Sequence, residues 1–115
     1  MKSRLFNDLR VPVVVAPMFL VSGPGLVKAS CLAGVIGSFP FPNARDISTL
    51  DSWLDDISRE LGKVPSAAPY AVNITPHRSY DRLKDELDLI KNHKPRIVIT
   101  ALGGPEPVIE TVQSY

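Results

Sequence analysis

Two hydrophobic patterns alternate along the chain. Residues 11–16, 35–39, 70–74 and 96–101 form short apolar runs rich in Val and Ile. Each is predicted to be a strand, and the first, which does not alternate with polar residues, a strand buried on both faces. Between them, apolar residues recur every three or four positions, as on one face of a helix. The clearest case is Ile47, Leu50, Trp53, Leu54, Ile57 and Leu61, with Asp51, Asp55, Asp56, Arg59 and Glu60 on the remaining surface. Leu26, Val27, Cys31 and Ala33 supply an earlier helix, and Tyr80, Leu83, Leu87 and Ile90 a later one. A last helix is expected from about Glu106.

Boundary residues sharpen the pattern. Ser22 is a candidate N-cap, with Pro24 tolerated in the first turn, where its missing N–H has no partner anyway. Asp46 opens the second helix and Ser79 is expected to cap the third. Gly34 and Gly62 read as helix stops, and Lys91 and Lys94 fall near a helix C-terminus, where the dipole favours cations. The order β-α-β-α-β-α-β-α with amphipathic crossovers predicts an α/β fold with a parallel sheet. A doubly wound open sheet and part of a (β/α)8 barrel both satisfy it. No GxGxxG follows the first run and no GxxxxGK(S/T) occurs, so neither nucleotide-binding open-sheet motif is present. The chain stops at Tyr115 inside an apparently unfinished helix, and four βα units are half of a barrel of about 250 residues. The expectation is therefore a half-barrel over residues 1–115.

The most apolar stretch, residues 11–21, carries Pro12 and Pro17 and runs into Ser22-Gly23-Pro24-Gly25. Preceded by Lys2, Arg4 and Arg10, it has some features of a secretory signal. Asp8 interrupts the basic region, however, and Pro17 would break an apolar helix. It is too short to span a membrane, which takes about 20 apolar residues. A strand ended by Pro17 is the reading adopted.

Composition narrows the function classes. With 44% hydrophobic and 22% charged residues the chain is expected to fold, and 11 prolines are too many for a helical bundle. A net charge of +1 with interspersed signs gives no electrostatic case for nucleic acid or an anionic membrane surface. Cys31 is the only cysteine, so there is no disulfide framework or cysteine-rich metal site, and a reducing, cytoplasmic setting is expected.

Working residues in parallel α/β folds lie at the C-terminal ends of strands. Here those ends are Ala16-Pro17-Met18, Gly37-Ser38-Phe39, Asn73-Ile74-Thr75 and Thr100-Ala101-Leu102-Gly103-Gly104. They offer small residues, exposed backbone and neutral polar groups, without a carboxylate pair, a Cys-His pair or a metal cluster. That suits a flat, partly apolar ligand held through main-chain groups rather than acid–base hydrolysis. Plainer roles exist for each residue. Gly37 permits close packing, Ser38 caps a strand, Asn73 starts a turn, and Met18, Trp53 and Cys31 fill core. His77 reads as a solvated loop residue, and His93 ends a helix on the opposite rim.

The ordered set of VAPM, SGPGLVKA, LAGVIGSF and the third-run VNI resembles the nitronate monooxygenase (2-nitropropane dioxygenase) family, FMN-dependent (β/α)8 barrels. The resemblance covers roughly residues 9–115. It implies that Ala16, Pro17 and Met18 pass beside the flavin ring, with Gly37 and Ser38 near it. It also implies that Asn73 hydrogen-bonds FMN and that Thr100 and Gly103 line the mouth. The small-molecule substrate would be a nitronate, oxidised with O2 to a carbonyl compound and nitrite. The family's catalytic histidine and phosphate-binding loops would lie beyond residue 115. FMN-dependent enoyl-thioester reductases share a similar opening, and a non-catalytic half-barrel is the reading from another class. A half-barrel would also leave its first and fourth strands as open edges, able to pair with another chain.

Overall fold

The computed structural model describes residues 4–115; Met1, Lys2 and Ser3, including the Lys2 of the basic start, lie outside the described residues. Four parallel strands pair in chain order: β1 (Val14–Val15), β2 (Ile36–Pro40), β3 (Ala71–Ile74) and β4 (Ile97–Thr100). Each is followed by a helix: α1 (Pro24–Leu32), α2 (Ile47–Gly62), α3 (Leu83–His93) and α4 (Glu106–Val112). Short 3-10 turns occupy Arg4–Phe6 and Phe41–Asn43. The expected α/β fold with a parallel sheet is the one observed. Successive helices touch, α1 on α2, α2 on α3 and α3 on α4, as right-handed crossovers between neighbouring strands require.

Register assigns the two faces of the sheet. Phe39, Val72 and Val98 sit side by side, as do Ile74 and Thr100. Phe39, Val72 and Ile74 belong to the core cluster, so this is the helix-covered face. Strand side chains alternate, which turns Ile36, Ser38, Ala71, Asn73, Ile97 and Ile99 to the other face. The core lies between sheet and helices. Phe39 meets Trp53 edge-on and Phe41 at a tilt, each with ring centroids 5.8 Å apart. Leu50, Leu54 and Ile57 of α2 are fully buried against them. Each such side chain contributes roughly 1.5–3 kcal/mol by leaving water. Cys31 is buried within this cluster and Trp53 packs on it, in the core roles expected of them.

Several boundaries depart from the sequence expectations. β1 covers two residues rather than 11–16, and Val14 is 41% exposed, so it is not buried on both faces. It pairs on one side only, and Pro12 has no N–H to give a ladder. Ser22 does not cap α1; Gly23 is the N-cap residue, and the Ser22 hydroxyl instead accepts a bond from the Met18 N–H at 2.8 Å. Ser79 does not cap α3, which starts after Arg82; its hydroxyl bonds His77. Gly62 is the last residue of α2 and Lys63 the cap. The last helix closes at Val112, and the Tyr115 hydroxyl donates to the Pro95 carbonyl at 2.9 Å. Asp46 does cap α2, accepting from the Thr49 N–H at 2.7 Å.

Candidate functional site

The segment after β1 is a built loop. β1 ends at Val15, two residues before Pro17, and the chain turns back so that the Ser22 N–H reaches the Met18 carbonyl at 2.9 Å. Asn43, just past β2, fastens the turn. Its Nδ2 donates to the carbonyls of Met18 (2.9 Å) and Ser22 (2.8 Å), and its Oδ1 accepts from the Leu20 N–H (3.0 Å). Leu20 is held at φ 63°, a left-handed conformation uncommon for a leucine. Met18, Phe19, Leu20 and Val21 project outward, Phe19 and Leu20 at 65% and 68% exposure. Met18 is therefore not the core residue that its chemistry allowed. Asn43 was not anticipated: a single asparagine after prolines has no spacing signal, and its partners lie more than twenty residues away.

The remaining candidate residues separate by face. The Ser38 hydroxyl donates to the Val15 carbonyl, tying β2 to the end of β1 beside Ala16. The Asn73 Nδ2 donates to the Ile99 carbonyl at 3.1 Å, tying β3 to β4. Among the described residues the Asn73 Oδ1 takes no bond, and it remains a free acceptor on a partly exposed side chain. Gly37 lies on the helix-covered face. A Cβ there would sit 2.6 Å from the Val27 carbonyl oxygen, so Gly37 lets α1 rest on β2. Thr100 also looks to the helix side, where it lines a groove of about 190 Å³ with Val98, Val108 and Val112. Ser38 and Asn73 thus share one face of the sheet, Ala16, Pro17 and Met18 follow the end of β1, and Gly37 and Thr100 face the helices.

Gly103 lies in the loop after β4, at φ 157°, following Leu102 at φ 64° and 82% exposure. This loop meets the one after β3. A cleft of about 380 Å³ opens between them, lined by Pro76, His77, Arg78, Gly103, Gly104 and Glu106. His77 is exposed, as expected. Its Nδ1 accepts the Ser79 N–H at 3.2 Å.

Below this rim lies a buried polar link. The Glu86 carboxylate, with no exposure, accepts from the Tyr80 hydroxyl at 2.7 Å and lies 3.1 Å from the Arg82 Nε. That last contact is misaligned for a hydrogen bond, and Glu86 Oε1 is left without one. Arg82 also donates to the Ala44 carbonyl at 2.8 Å, joining the loops after β2 and β3. Burial pushes the Glu86 carboxyl above its ordinary value, against the pull of Tyr80 and Arg82. Burial first, then the neighbouring Glu86, pushes the Tyr80 phenol up. These residues hold loops in place. The i,i+4 spacing of Arg82 and Glu86 resembles an ordinary exposed helix pair in sequence, which conceals their burial.

Among the described residues no three His, Cys, Asp or Glu side chains gather as a metal site would require, and no helix is long and apolar enough to cross a membrane. No protein-family model matches the chain, and no curated protein matches it significantly.

Proposed function

We propose that this chain is the front half of an FMN-dependent (β/α)8 barrel that oxidises alkyl nitronates. The observation that carries the reading is positional. The family-like APM segment directly follows β1, and the GS and VN segments lie within β2 and β3, in order, on adjacent parallel strands. In parallel α/β folds ligands bind at the C-terminal ends of the strands, towards which these segments lead.

The residues present suit the flavin ring. Asn73 has a free Oδ1 on a side chain already anchored through Nδ2, so it can accept from a ring N–H without losing its own support. The loop from Met18 to Val21, fastened by Asn43, offers an apolar surface that would exclude water from one edge of the ring. FMN would supply the redox centre through which a nitronate and O2 become a carbonyl compound and nitrite. A nitronate is already deprotonated, so the residues of this half need supply no base for it. The resemblance places the histidine needed for neutral nitroalkanes, and the phosphate loops, beyond residue 115.

The test is to express the complete reading frame that encodes this chain and examine the purified protein. Flavin absorbance with nitrite release from propyl nitronate is expected. A colourless protein would overturn the reading. NADPH oxidation with a crotonyl thioester, without nitronate turnover, would replace it with an enoyl-thioester reductase.

A further inference from the structure

A second cleft, of about 370 Å³, lies at the opposite end of the sheet, where β3 and β4 begin and α2 and α3 end. Its size falls within the usual range for small-molecule pockets, roughly 300–1,000 Å³. Leu61, Val64, Pro65, Ala67, Ala68 and Pro69 wall it with apolar surface. Its polar groups are the Ser58 and Tyr70 hydroxyls and the cations Lys94 and Arg96, with His93 held by Asp51 at 2.6 Å. No carboxylate lines it.

Three features select the ligand. The Ser58 and Tyr70 hydroxyls lie 3.2 Å apart and share one hydrogen bond. Whichever donates, the other keeps a hydrogen for a third acceptor. Lys94 and Arg96 bring two positive charges, and neither makes an ion pair with a described carboxylate. The plainer role of these cations is to offset the two helix C-termini that point here. The two termini offset these cations only in part, which leaves them able to meet an anion. Finally, Lys94 ends α3 at φ 50°, a left-handed position that glycine fills with less strain, so the lysine is kept at some backbone cost.

We propose that this cleft binds a monocarboxylate with a compact apolar body, its carboxylate at Lys94 and Arg96 and its body against Leu61, Val64 and Ala68. The site lies at the far end of the sheet from Asn73 and Gly103 and rests on no part of the flavin reading. Calorimetric titration of the complete encoded protein with benzoate tests it, with benzamide and inorganic phosphate as comparison probes. Saturable binding of benzoate is expected, about tenfold tighter than benzamide, because a charge-assisted contact is lost in the amide. Lys94→Gly and Arg96→Ala should each weaken benzoate by about fivefold to tenfold. Lys94→Gly should do so without lowering the melting temperature, since glycine suits the left-handed position, which separates lost binding from lost folding. No saturable binding, equal affinity for benzamide, phosphate binding as tight as benzoate, or unchanged affinity in both variants would each overturn the proposal.

Discussion

Gly37 and Asn73 show how differently two residues of one candidate set can act. Gly37 works by having no side chain. An alanine Cβ would meet the Val27 carbonyl oxygen at 2.6 Å, the Val27 Cα at 2.9 Å and the Ser30 Cβ at 3.1 Å. Two of those three contacts are backbone of α1, which can yield only by moving the helix. Gly37→Ala is therefore expected to lose about 2–3 kcal/mol of stability, in the range of overpacked cores, as read by urea denaturation. An unchanged midpoint would show that α1 shifts freely. Asn73 works through its amide. Asn73→Ala in the complete protein removes the bond to Ile99 and the free Oδ1 acceptor together. On the proposed flavin reading, a hydrogen bond from the ring edge to Asn73 is worth about 0.5–1.5 kcal/mol, so FMN is expected to bind several-fold to tenfold more weakly. Flavin retained on dilution as in the parent would remove Asn73 from the site.

The helix most legible in the sequence, α2, is also the one with the cleanest cap. The Thr49 N–H first, and then the Ser48 hydroxyl, hold the Asp46 carboxyl below its ordinary value of 3.8. A depressed folded-state pKa means that the contribution of Asp46 is complete at neutral pH and is lost as pH falls through that lowered value. Asp46→Asn keeps an acceptor for Thr49 without the charge, so its stability should decline less steeply than the parent's below about pH 4 in thermal melts across an acid series. Parallel decline of the two would exclude Asp46 as a source of the acid sensitivity. The other caps show where sequence reading stops. Ser22 and Ser79 have the right chemistry for an N-cap, but each hydroxyl is taken by a loop partner, Met18 or His77. Competition between a cap and a loop is decided by tertiary geometry, which local chemistry does not encode. The same holds for β1. Its valines signal a strand, yet its length and burial depend on a second neighbour that the described sheet does not provide. The four strands were readable as continuous apolar runs, and the helices chiefly from apolar residues at helical spacing between them. The face that each candidate residue would occupy was not, because Gly37 and Ser38 are adjacent and point oppositely.

As a whole, the molecule covers one side of its sheet with helices, keeps Ile36, Ser38 and Ala71 of the other side buried as well, and leaves two edges of the described sheet unpaired. In the order β1-β2-β3-β4, β1 and β4 each have one strand neighbour among the described residues. The β1 edge is blunted by its two-residue length and by Pro12 and Pro17 on either side, although Val13 and Val14 are exposed there. The β4 edge is not: the Ile97–Thr100 strand, partly buried throughout, carries no charge or proline. Met18, Phe19, Leu20, Val21 and Leu102 add large exposed apolar side chains at the rim. Large apolar side chains exposed at a sheet edge and its rim are the kind of surface that a further segment covers. The geometry favours further strands. A parallel strand could add to either edge, and closing β1 and β4 through additional βα units would remove both edges at once. The 115 residues purified alone with FMN should therefore self-associate at micromolar concentration, with a sedimentation coefficient that rises with loading concentration. Replacing Val14 and Ile99 by lysine should suppress that association, since edge lysines oppose strand addition. A concentration-independent monomer that retains flavin would show that these edges need no partner, and that the half-barrel reading is wrong.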